Sequence, residues 1–136
     1  MAHEFLDTNV VVYAFSDDPR AAVAQDLLAR RCHISVQVLD EFTHVARRKL
    51  GFDWNEVSAA LADIRLLCDR IHPLELDTHD HAIALAERYG FSIYDALIVA
   101  SALKAGCDIL HSEDVRDGLV VEGRLRIANP FRPNRS

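Results

Sequence analysis

Short apolar runs alternate with helix-like segments along this chain, and that alternation constrains the fold more than any other feature. The strand-like runs are 4–7, 33–36, 71–76 and 108–111, followed by a candidate edge strand at 124–128. The segments between them predict helices, at about 19–31, 35–50, 54–70, 78–89 and 92–105, with a turn or short helix at 10–15. Strands that alternate with helices indicate an α/β fold with a mostly parallel sheet covered on both faces.

Local signals set several of the predicted boundaries. Pro19 suits a first helical turn, and Thr78 and Ser92 are candidate helix caps. The segment 96–103 is apolar nearly all round, so its helix must be buried.

Composition narrows the class of protein. The chain has 136 residues, half of them hydrophobic, which suits one domain with a proper core. No apolar stretch approaches the roughly 20 residues that span a bilayer, and the start of the chain lacks a basic leader. Three widely spaced cysteines predict reduced thiols in a cytoplasmic protein. The net charge of −6 argues against a protein that simply coats nucleic acid.

Four acidic residues stand where an apolar run gives way to a helix or loop. They are Asp7, Glu41, Asp95 and Asp114, from four separate parts of the chain. Sites in open α/β sheets form at the carboxyl ends of the strands. We therefore expect these four carboxylates to lie along one edge of the sheet.

Each acid also has a purely structural interpretation. Asp7 could cap the helix that follows it, and Glu41 could be a solvated helix residue, with Asp40 as its rival for the inward position. Asp95 could complete a capping box with Ser92. Asp114 could belong to a solvated charged loop that also contains Asp117.

A carboxylate cluster has an electrostatic consequence. Two carboxylates about 5 Å apart repel by roughly 3 kcal/mol at an effective dielectric constant near 20. Such a cluster raises its pKa values or binds a cation, and oxygen ligands favour Mg²⁺ or Mn²⁺ over zinc. The pair His79 and His81 does not share a helix face, so it adds no convincing ligand. His111 could touch a substrate, but packing or hydrogen bonding at the strand end suits it better.

Four segments in order resemble the motifs of PIN-domain ribonucleases, and most of all the VapC type of toxin from type II toxin–antitoxin pairs. They are 5–10 (FLDTNV), 37–42 (QVLDEF), 94–98 (YDALI) and 110–114 (LHSED), and 127–131 (IANPF) is similar to one branch of that family. The resemblance implies a three-layer α/β/α sandwich over 1–131, followed by a polar tail at 132–136. It also implies RNA cleavage that depends on Mg²⁺ or Mn²⁺, a homodimer, and a small antitoxin whose C-terminal segment fills the acidic groove.

The resemblance also assigns roles to residues. Asp7, Glu41, Asp95 and Asp114 match the metal-binding acids, and Asp117 matches an accessory acid. Asn9 and Ser112 match polar residues that orient ligands or water, although Ser112 replaces the commoner threonine. His111 stands where many members carry an apolar or small residue. Arg47, Arg48 and Arg116 are candidates for contact with RNA phosphates. The hypothesis is in-line attack by a metal-activated water that leaves 5′-phosphate and 3′-hydroxyl ends.

Two other classes of function are compatible with parts of the sequence. A phosphoaspartyl phosphatase or receiver-like protein also has an aspartate after its first strand, but it needs a lysine near the strand ends. The only lysines here are Lys49 and Lys104, and neither is well placed in the sequence. A PIN-like module that only binds RNA or protein would be expected to lose one or more of the four acids, and this chain retains all of them.

Overall fold

The structure is a computed structural model that describes residues 3–132. Six helices and six strands follow one another in the order β1 (Glu4–Leu6), α1 (Thr8–Ala14), α2 (Ala21–Leu28), β2 (His33–Ser35), α3 (Val36–Arg48), α4 (Trp54–Leu67), β3 (Arg70–His72), α5 (Leu76–Tyr89), α6 (Ile93–Lys104), β4 (Ile109–His111), β5 (Val120–Val121) and β6 (Leu125–Ala128). Of the predicted tail, 133–136 lie outside the described residues.

The strands form one sheet with the order β3-β2-β1-β4-β6-β5. All neighbouring pairs are parallel except β5 and β6, which are antiparallel. β1 lies in the middle, with Phe5 opposite His33 of β2 and Leu110 of β4. The predicted mixed α/β fold with a mostly parallel sheet is confirmed.

Helices cover both faces of this sheet. Phe5 and Leu6 point to opposite faces because side chains alternate along a strand, and both are fully buried. Helix α1 packs against both α2 and α3, α3 packs against α4, and α5 packs along α6. The predicted burial of α6 is confirmed, since its residues from Ile98 to Leu103 are all buried.

Several predicted boundaries were wrong. Helix α2 begins at Ala21, after Pro19, because Asp18 and Arg20 form a turn in which the Asp18 carboxylate accepts from the Arg20 N–H at 2.9 Å. Thr78 is the third residue inside α5 and is not its cap; its hydroxyl accepts from the Glu75 N–H at 3.4 Å. Helix α4 ends at Leu67 because Cys68 is extended.

The sheet edges also differ from the prediction. β3 is Arg70–His72, so only 71–72 of the predicted strand 71–76 is strand; 73–75 is loop, and α5 begins at Leu76. The segment 124–128 is not an edge strand, since β6 pairs with β4 on one side and with β5 on the other. The true edge, β5, has two residues and is too short to be recognised from its sequence.

The three cysteines lie in the core. Cys32, Cys68 and Cys107 are all buried with free thiols. Burial raises the pKa of Cys32 to about 12, that of Cys68 to about 11 and that of Cys107 to about 12. Their thiols therefore stay protonated at neutral pH. Within residues 3–132, no helix combines the length and the apolar character that crossing a membrane requires.

Candidate active site

Asp7 lies directly after β1 at the carboxyl end of the central strand. Its carboxylate caps α1 by accepting from the Thr8 N–H at 2.7 Å, and it also accepts from the Ser112 hydroxyl at 2.7 Å. The side chain is buried, and burial raises its pKa to about 6 although both hydrogen bonds oppose the rise. Asp7 therefore combines the capping position with the unusual ionisation of a candidate catalytic group.

Ser112 fixes the loop that follows β4. It is fully buried, and its hydroxyl donates to Asp7 while accepting from the backbone N–H groups of Asp114 and Val115, both at 3.2 Å. One hydroxyl thus connects the ends of the neighbouring strands β1 and β4. This contact sets the position of the loop that carries Asp114 relative to Asp7.

Glu41 is the inward acid of α3, and Asp40 is exposed. The Glu41 carboxylate accepts from the Thr8 hydroxyl at 2.6 Å and from the Gln37 amide at 3.3 Å. The same Gln37 amide donates to the Tyr94 carbonyl at 3.1 Å. Glu41 is therefore held toward the N-terminus of α1, and Gln37 connects it to the start of α6.

Asp95 lies in the first turn of α6. Ser92 caps this helix by accepting from the Asp95 N–H at 3.2 Å. Among the contacts of residues 3–132, the Ser92 N–H donates no hydrogen bond to the Asp95 carboxylate, so only half of the capping box forms. Burial, Asp114 and Glu41 raise the pKa of Asp95, and the Ser92 hydroxyl lowers it.

Asp114 and Asp117 have different surroundings. Asp114 is exposed and accepts from the Asn9 amide at 3.0 Å, so the structure brings these two predicted residues together. Asp117 accepts from the Asn129 N–H at 2.9 Å and lies 3.4 Å from Arg132. Its carboxylate therefore braces the segment after β6, and its predicted role as an accessory metal ligand stays a prediction.

The four predicted acids influence one another electrostatically. The charges of Asp95 and Asp114 raise the pKa of Asp7, and those of Asp114 and Glu41 raise the pKa of Asp95. Hydrogen bonds join the same segments: Thr8 of α1 donates to Glu41, the Asn9 amide donates to Asp114, and the Gln37 amide donates to the Tyr94 carbonyl at the start of α6. The structure thus brings acids from β1, α3, α6 and the β4 loop to one edge, as the sequence predicted.

The donor chemistry of this edge fits a hard divalent cation. Its groups are carboxylates and amides. The side-chain oxygen Oδ1 of Asn9 is buried without a hydrogen-bond partner within residues 3–132. In that part of the chain, no three His, Cys, Asp or Glu side chains converge closely enough to surround a metal. An open set of this kind suits Mg²⁺, which keeps several waters and takes only one or two protein carboxylates.

A cavity of about 590 Å³ opens beside the acids between α1 and α3. Thr8, Asn9, Glu41 and Asp114 line one end, and the cavity continues along α3 to Lys49. Lys49 thus shares the cavity, which its position in the sequence did not suggest. It is eight residues from Glu41, about 12 Å along the helix at 1.5 Å per residue.

The three candidate arginines have different contacts. Arg47 donates to the Phe52 carbonyl at 3.1 Å and lies over the ring of Trp54. Arg48 is exposed beside them. Arg116 donates to the Tyr89 carbonyl and lies over the Phe91 ring, so intramolecular contacts engage its guanidinium.

Sequence reasoning missed two supports of the site. One is the Thr8 and Gln37 pair that holds Glu41; Gln37 is four residues before Glu41 on the same helix face, which is a detectable signal. The other is Glu113, which accepts from the Tyr13 hydroxyl and from Arg20, both at 2.7 Å. Tyr13 and Arg20 lie about 100 residues away in sequence, so nothing local identifies them.

The fold and the site together define an α/β protein with coupled carboxylates at the carboxyl edge of its sheet. Residues 5–116 match the PIN domain, and the chain belongs to that family. No curated protein matches the chain significantly in sequence.

Solved structures add detail to the family assignment. VapC20 of Mycobacterium tuberculosis, a sarcin-ricin loop cleaving toxin, is 26% identical with a TM-score of 0.68 over 82% of this chain and 90% of that one. A toxin–antitoxin complex from Klebsiella pneumoniae is 19% identical, with a TM-score of 0.74 over 96% and 99%. VapBC2 of Rickettsia felis bound to a promoter DNA fragment is 21% identical, with a TM-score of 0.64 over 93% and 98%. The resemblance to VapC-type PIN ribonucleases is confirmed.

Proposed function

We propose that this protein is an endoribonuclease toxin of a toxin–antitoxin pair and that its cleavage of RNA depends on Mg²⁺ or Mn²⁺. The observation that carries the proposal is the placement of four acids at one sheet edge, where hydrogen bonds from Ser112, Thr8 and Asn9 hold Asp7, Glu41 and Asp114 respectively. The charges of Asp95 and Asp114 act on Asp7, and those of Asp114 and Glu41 act on Asp95. Membership of the PIN family and the likeness to VapC20 support the same activity.

Asp7, Asp95 and Asp114 are the residues proposed to hold the cation, with Glu41 and the accessory Asp117 as further candidates. A bound Mg²⁺ would supply charge neutralisation for the phosphate and would lower the pKa of a coordinated water. The chain itself fixes the acids before metal binds. Ser112 orients Asp7, and the Asn9 amide orients Asp114.

Glu41 is oriented by neutral hydrogen-bond donors, and it has two candidate roles. Its carboxylate accepts two hydrogen bonds from neutral groups, the Thr8 hydroxyl and the Gln37 amide. These contacts hold it beside the cavity without adding positive charge. Glu41 is thus oriented to accept a proton from a water at the scissile phosphate or to complete the cation site.

The phosphoaspartyl alternative gains no specific support. Lys49 lines the cavity, but it is about two helical turns from Glu41, and the pKa shifts of Asp7 and Asp95 arise from other groups. A silent binding module also gains none, because all four acids are present and mutually coupled.

The partners belong to the same proposal. RNA is the substrate, and a small antitoxin protein is the inhibitor, in keeping with the toxin–antitoxin complexes of similar fold. The apolar cavity between α1 and α3 offers a place for an antitoxin segment whose basic residue reaches the acids. A homodimer and a cytoplasmic location complete the proposal.

Cleavage of RNA by matched variants tests the proposed activity. We expect Asp95→Asn and Glu41→Gln to lower the rate of Mg²⁺-dependent cleavage by at least about 100-fold, because removing a positioned charge or base has effects of that size. Asp80→Asn on the exposed surface of α5 and Asp40→Asn beside Glu41 are controls that should retain activity. The rates are measured on purified RNA, with the ends mapped for 5′-phosphates.

Two outcomes would contradict the proposal. Cleavage that persists in excess EDTA would exclude the metal dependence. A loss of activity in Asp40→Asn with full activity in Glu41→Gln would show that the inward acid of α3 has been assigned wrongly.

A further inference from the structure

The C-terminal end of α3 carries three consecutive basic residues, Arg47, Arg48 and Lys49, in a protein of net charge −6. All three are exposed. Together with His44 and Trp54 they form what we call the α3 basic surface, and a small cavity lies between α3 and the start of α4 there. Such a concentration of cations and an aromatic ring is typical of nucleic-acid contact.

Arg48 and Lys49 are available to an external anion, whereas Arg47 contacts the Phe52 carbonyl and the Trp54 ring. Within residues 3–132, none of the three lies within 4.0 Å of a carboxylate oxygen. Many basic side chains elsewhere are ion-paired in the same structure: Arg20, Arg30, Arg31, Lys104, Arg124 and Arg132. The α3 basic surface therefore holds positive charge that the fold itself does not neutralise.

Trp54 is the only tryptophan of the chain and is 61% exposed. Its position is fixed, because it is the first residue of α4 and Asp53 caps that helix with a complete capping box. The Arg47 guanidinium lies 4.6 Å from the ring centroid and is itself held by the Phe52 carbonyl. One side of the indole is thus occupied by Arg47, while much of the ring remains open for stacking with a base.

The α3 basic surface is continuous with the carboxylate edge. The small cavity and the larger one beside the acids share Asp40 and His44 as lining residues. Glu41 and Arg48 are seven residues apart and lie on the same helix face, about 10 Å apart along the axis. At roughly 3.4 Å per stacked nucleotide, about three nucleotides cover that length.

We propose that the α3 basic surface binds the single-stranded RNA that flanks the scissile phosphate, with Arg48 and Lys49 on the backbone and a base on Trp54. This inference rests on the proposed function, since it takes RNA to be the substrate. Asp40 also lines both cavities, so the phosphates lie toward the Arg48 and Lys49 side of the groove. The surface adds a second point of attachment that fixes the strand relative to the acids.

The fluorescence of Trp54 provides a direct test. The Asp95→Asn variant, which is expected to bind RNA without cutting it, is titrated in Mg²⁺ with a single-stranded RNA of about 12 nucleotides. Stacking of a base on Trp54 should quench its emission in proportion to binding. In the same background, Arg48→Gln should reduce the salt dependence of log K by about 0.7, the value for one phosphate contact on a single strand.

A second variant measures the stacking contribution. Trp54→Leu should weaken binding of a fluorescently labelled RNA by roughly 5- to 150-fold, the effect of losing one base–aromatic stack. Arg88→Gln is the matched control for Arg48→Gln, because Arg88 likewise lies in the last turn of a helix, but on α5. It should leave affinity and salt dependence unchanged. Circular dichroism confirms that each variant is folded.

RNA binding at the α3 basic surface and RNA cleavage at the acids are measured separately, so one can fail without the other. Unchanged Trp54 emission at saturating RNA, with the same salt dependence in Arg48→Gln as in Arg88→Gln, would overturn it even if the enzyme cleaves RNA normally. That result would favour a protein partner, and not RNA, as the ligand of the α3 basic surface. Conversely, quenching and a reduced salt dependence would support it even if metal-dependent cleavage is absent.

Discussion

At the scale of single residues, the carboxyl group of Asp7 experiences opposing effects. Its two hydrogen bonds, from the Thr8 N–H and the Ser112 hydroxyl, stabilise the ionised form. Burial and the charges of Asp95 and Asp114 oppose ionisation, and they prevail, since the pKa rises to about 6. A buried acid with this balance destabilises the metal-free protein at neutral pH in order to keep a negative charge at the site.

Replacement of Asp7 by Asn should reveal this cost. In the unfolded chain the pKa of Asp7 is near 3.8, and in the folded protein it is about 6. The acid contributes no penalty below about pH 3.8; the penalty grows between pH 3.8 and about 6 and is complete above that, at roughly 3 kcal/mol for a shift of about two units. Asp7→Asn should therefore become more stable relative to the wild type as the pH rises.

Urea denaturation in EDTA at about pH 4.5 and about pH 7.5 measures the effect. We expect the difference in unfolding free energy between Asp7→Asn and the wild type to move in favour of the variant by about 1–3 kcal/mol between these values. Asp80→Asn, in which an exposed acid is changed, serves as the control. A difference that does not vary with pH would show that Asp7 ionises normally.

At the scale of structural elements, the loop after β4 depends on two distant helices. Glu113 accepts from Tyr13 of α1 and from Arg20, which stands just before α2. Arg20 also binds Asp18 and lies over the Tyr13 ring. The loop that carries Asp114 is thus anchored from one side by Ser112 and from the other by this network.

Glu113→Gln tests whether the network positions the loop. Partly exposed ion pairs contribute little stability, so the free energy of unfolding should fall by no more than about 1 kcal/mol. Displacement of Asp114 by a fraction of an ångström to 1 Å should instead lower kcat by about 10- to 100-fold. Steady-state cleavage kinetics and urea denaturation of the same preparation separate the two effects. If Glu113→Gln lowers the free energy of unfolding but leaves kcat unchanged, the network stabilises the fold and does not position Asp114.

Sequence patterns predicted elements well where the signal lies in neighbouring residues. The parallel strands β1, β2 and β4 and the buried helix α6 follow from apolar runs and flanking caps. The hairpin of β5 and β6 was not predicted, because Val120–Val121 is a strand only through its pairing with Leu125–Arg126. The predicted start of α2 was wrong for a similar reason. Asp18 does not cap a helix at Pro19, because its side chain forms a turn with Arg20.

In the site, too, local sequence predicted the acids but not the distant residues that orient them. Its four acids could be predicted from the junctions where they stand, and helix geometry alone left Asp40 and Glu41 as alternatives. The contact that orients Glu41 is the long-range one with Thr8, which no local pattern contains. Asp114 and Asp117 are likewise distinguished by distant partners, Asn9 for the first and Asn129 for the second.

At the scale of the whole molecule, a cation bound among the acids should stabilise the fold. A ligand that binds only the folded state at 100 times its Kd adds about 2.7 kcal/mol. We expect saturating Mg²⁺ or Mn²⁺ to raise the Tm of the wild type, and Asp95→Asn to lose most of that increase. Asp80→Asn should retain it. An equal rise in Tm for Asp95→Asn and the wild type would mean that the stabilising cation binds elsewhere.

The buried cysteines make it practical to attach a label at a single chosen site on this protein. Cys32, Cys68 and Cys107 are all enclosed in the core, and their raised pKa values keep them protonated. Alkylating reagents react with thiolates that they can reach, so the native chain should be nearly inert to them at neutral pH. A cysteine introduced on the surface, for example by Ser58→Cys on α4, would then be the single point of attachment for a spin label or dye, with no native residue replaced in the core.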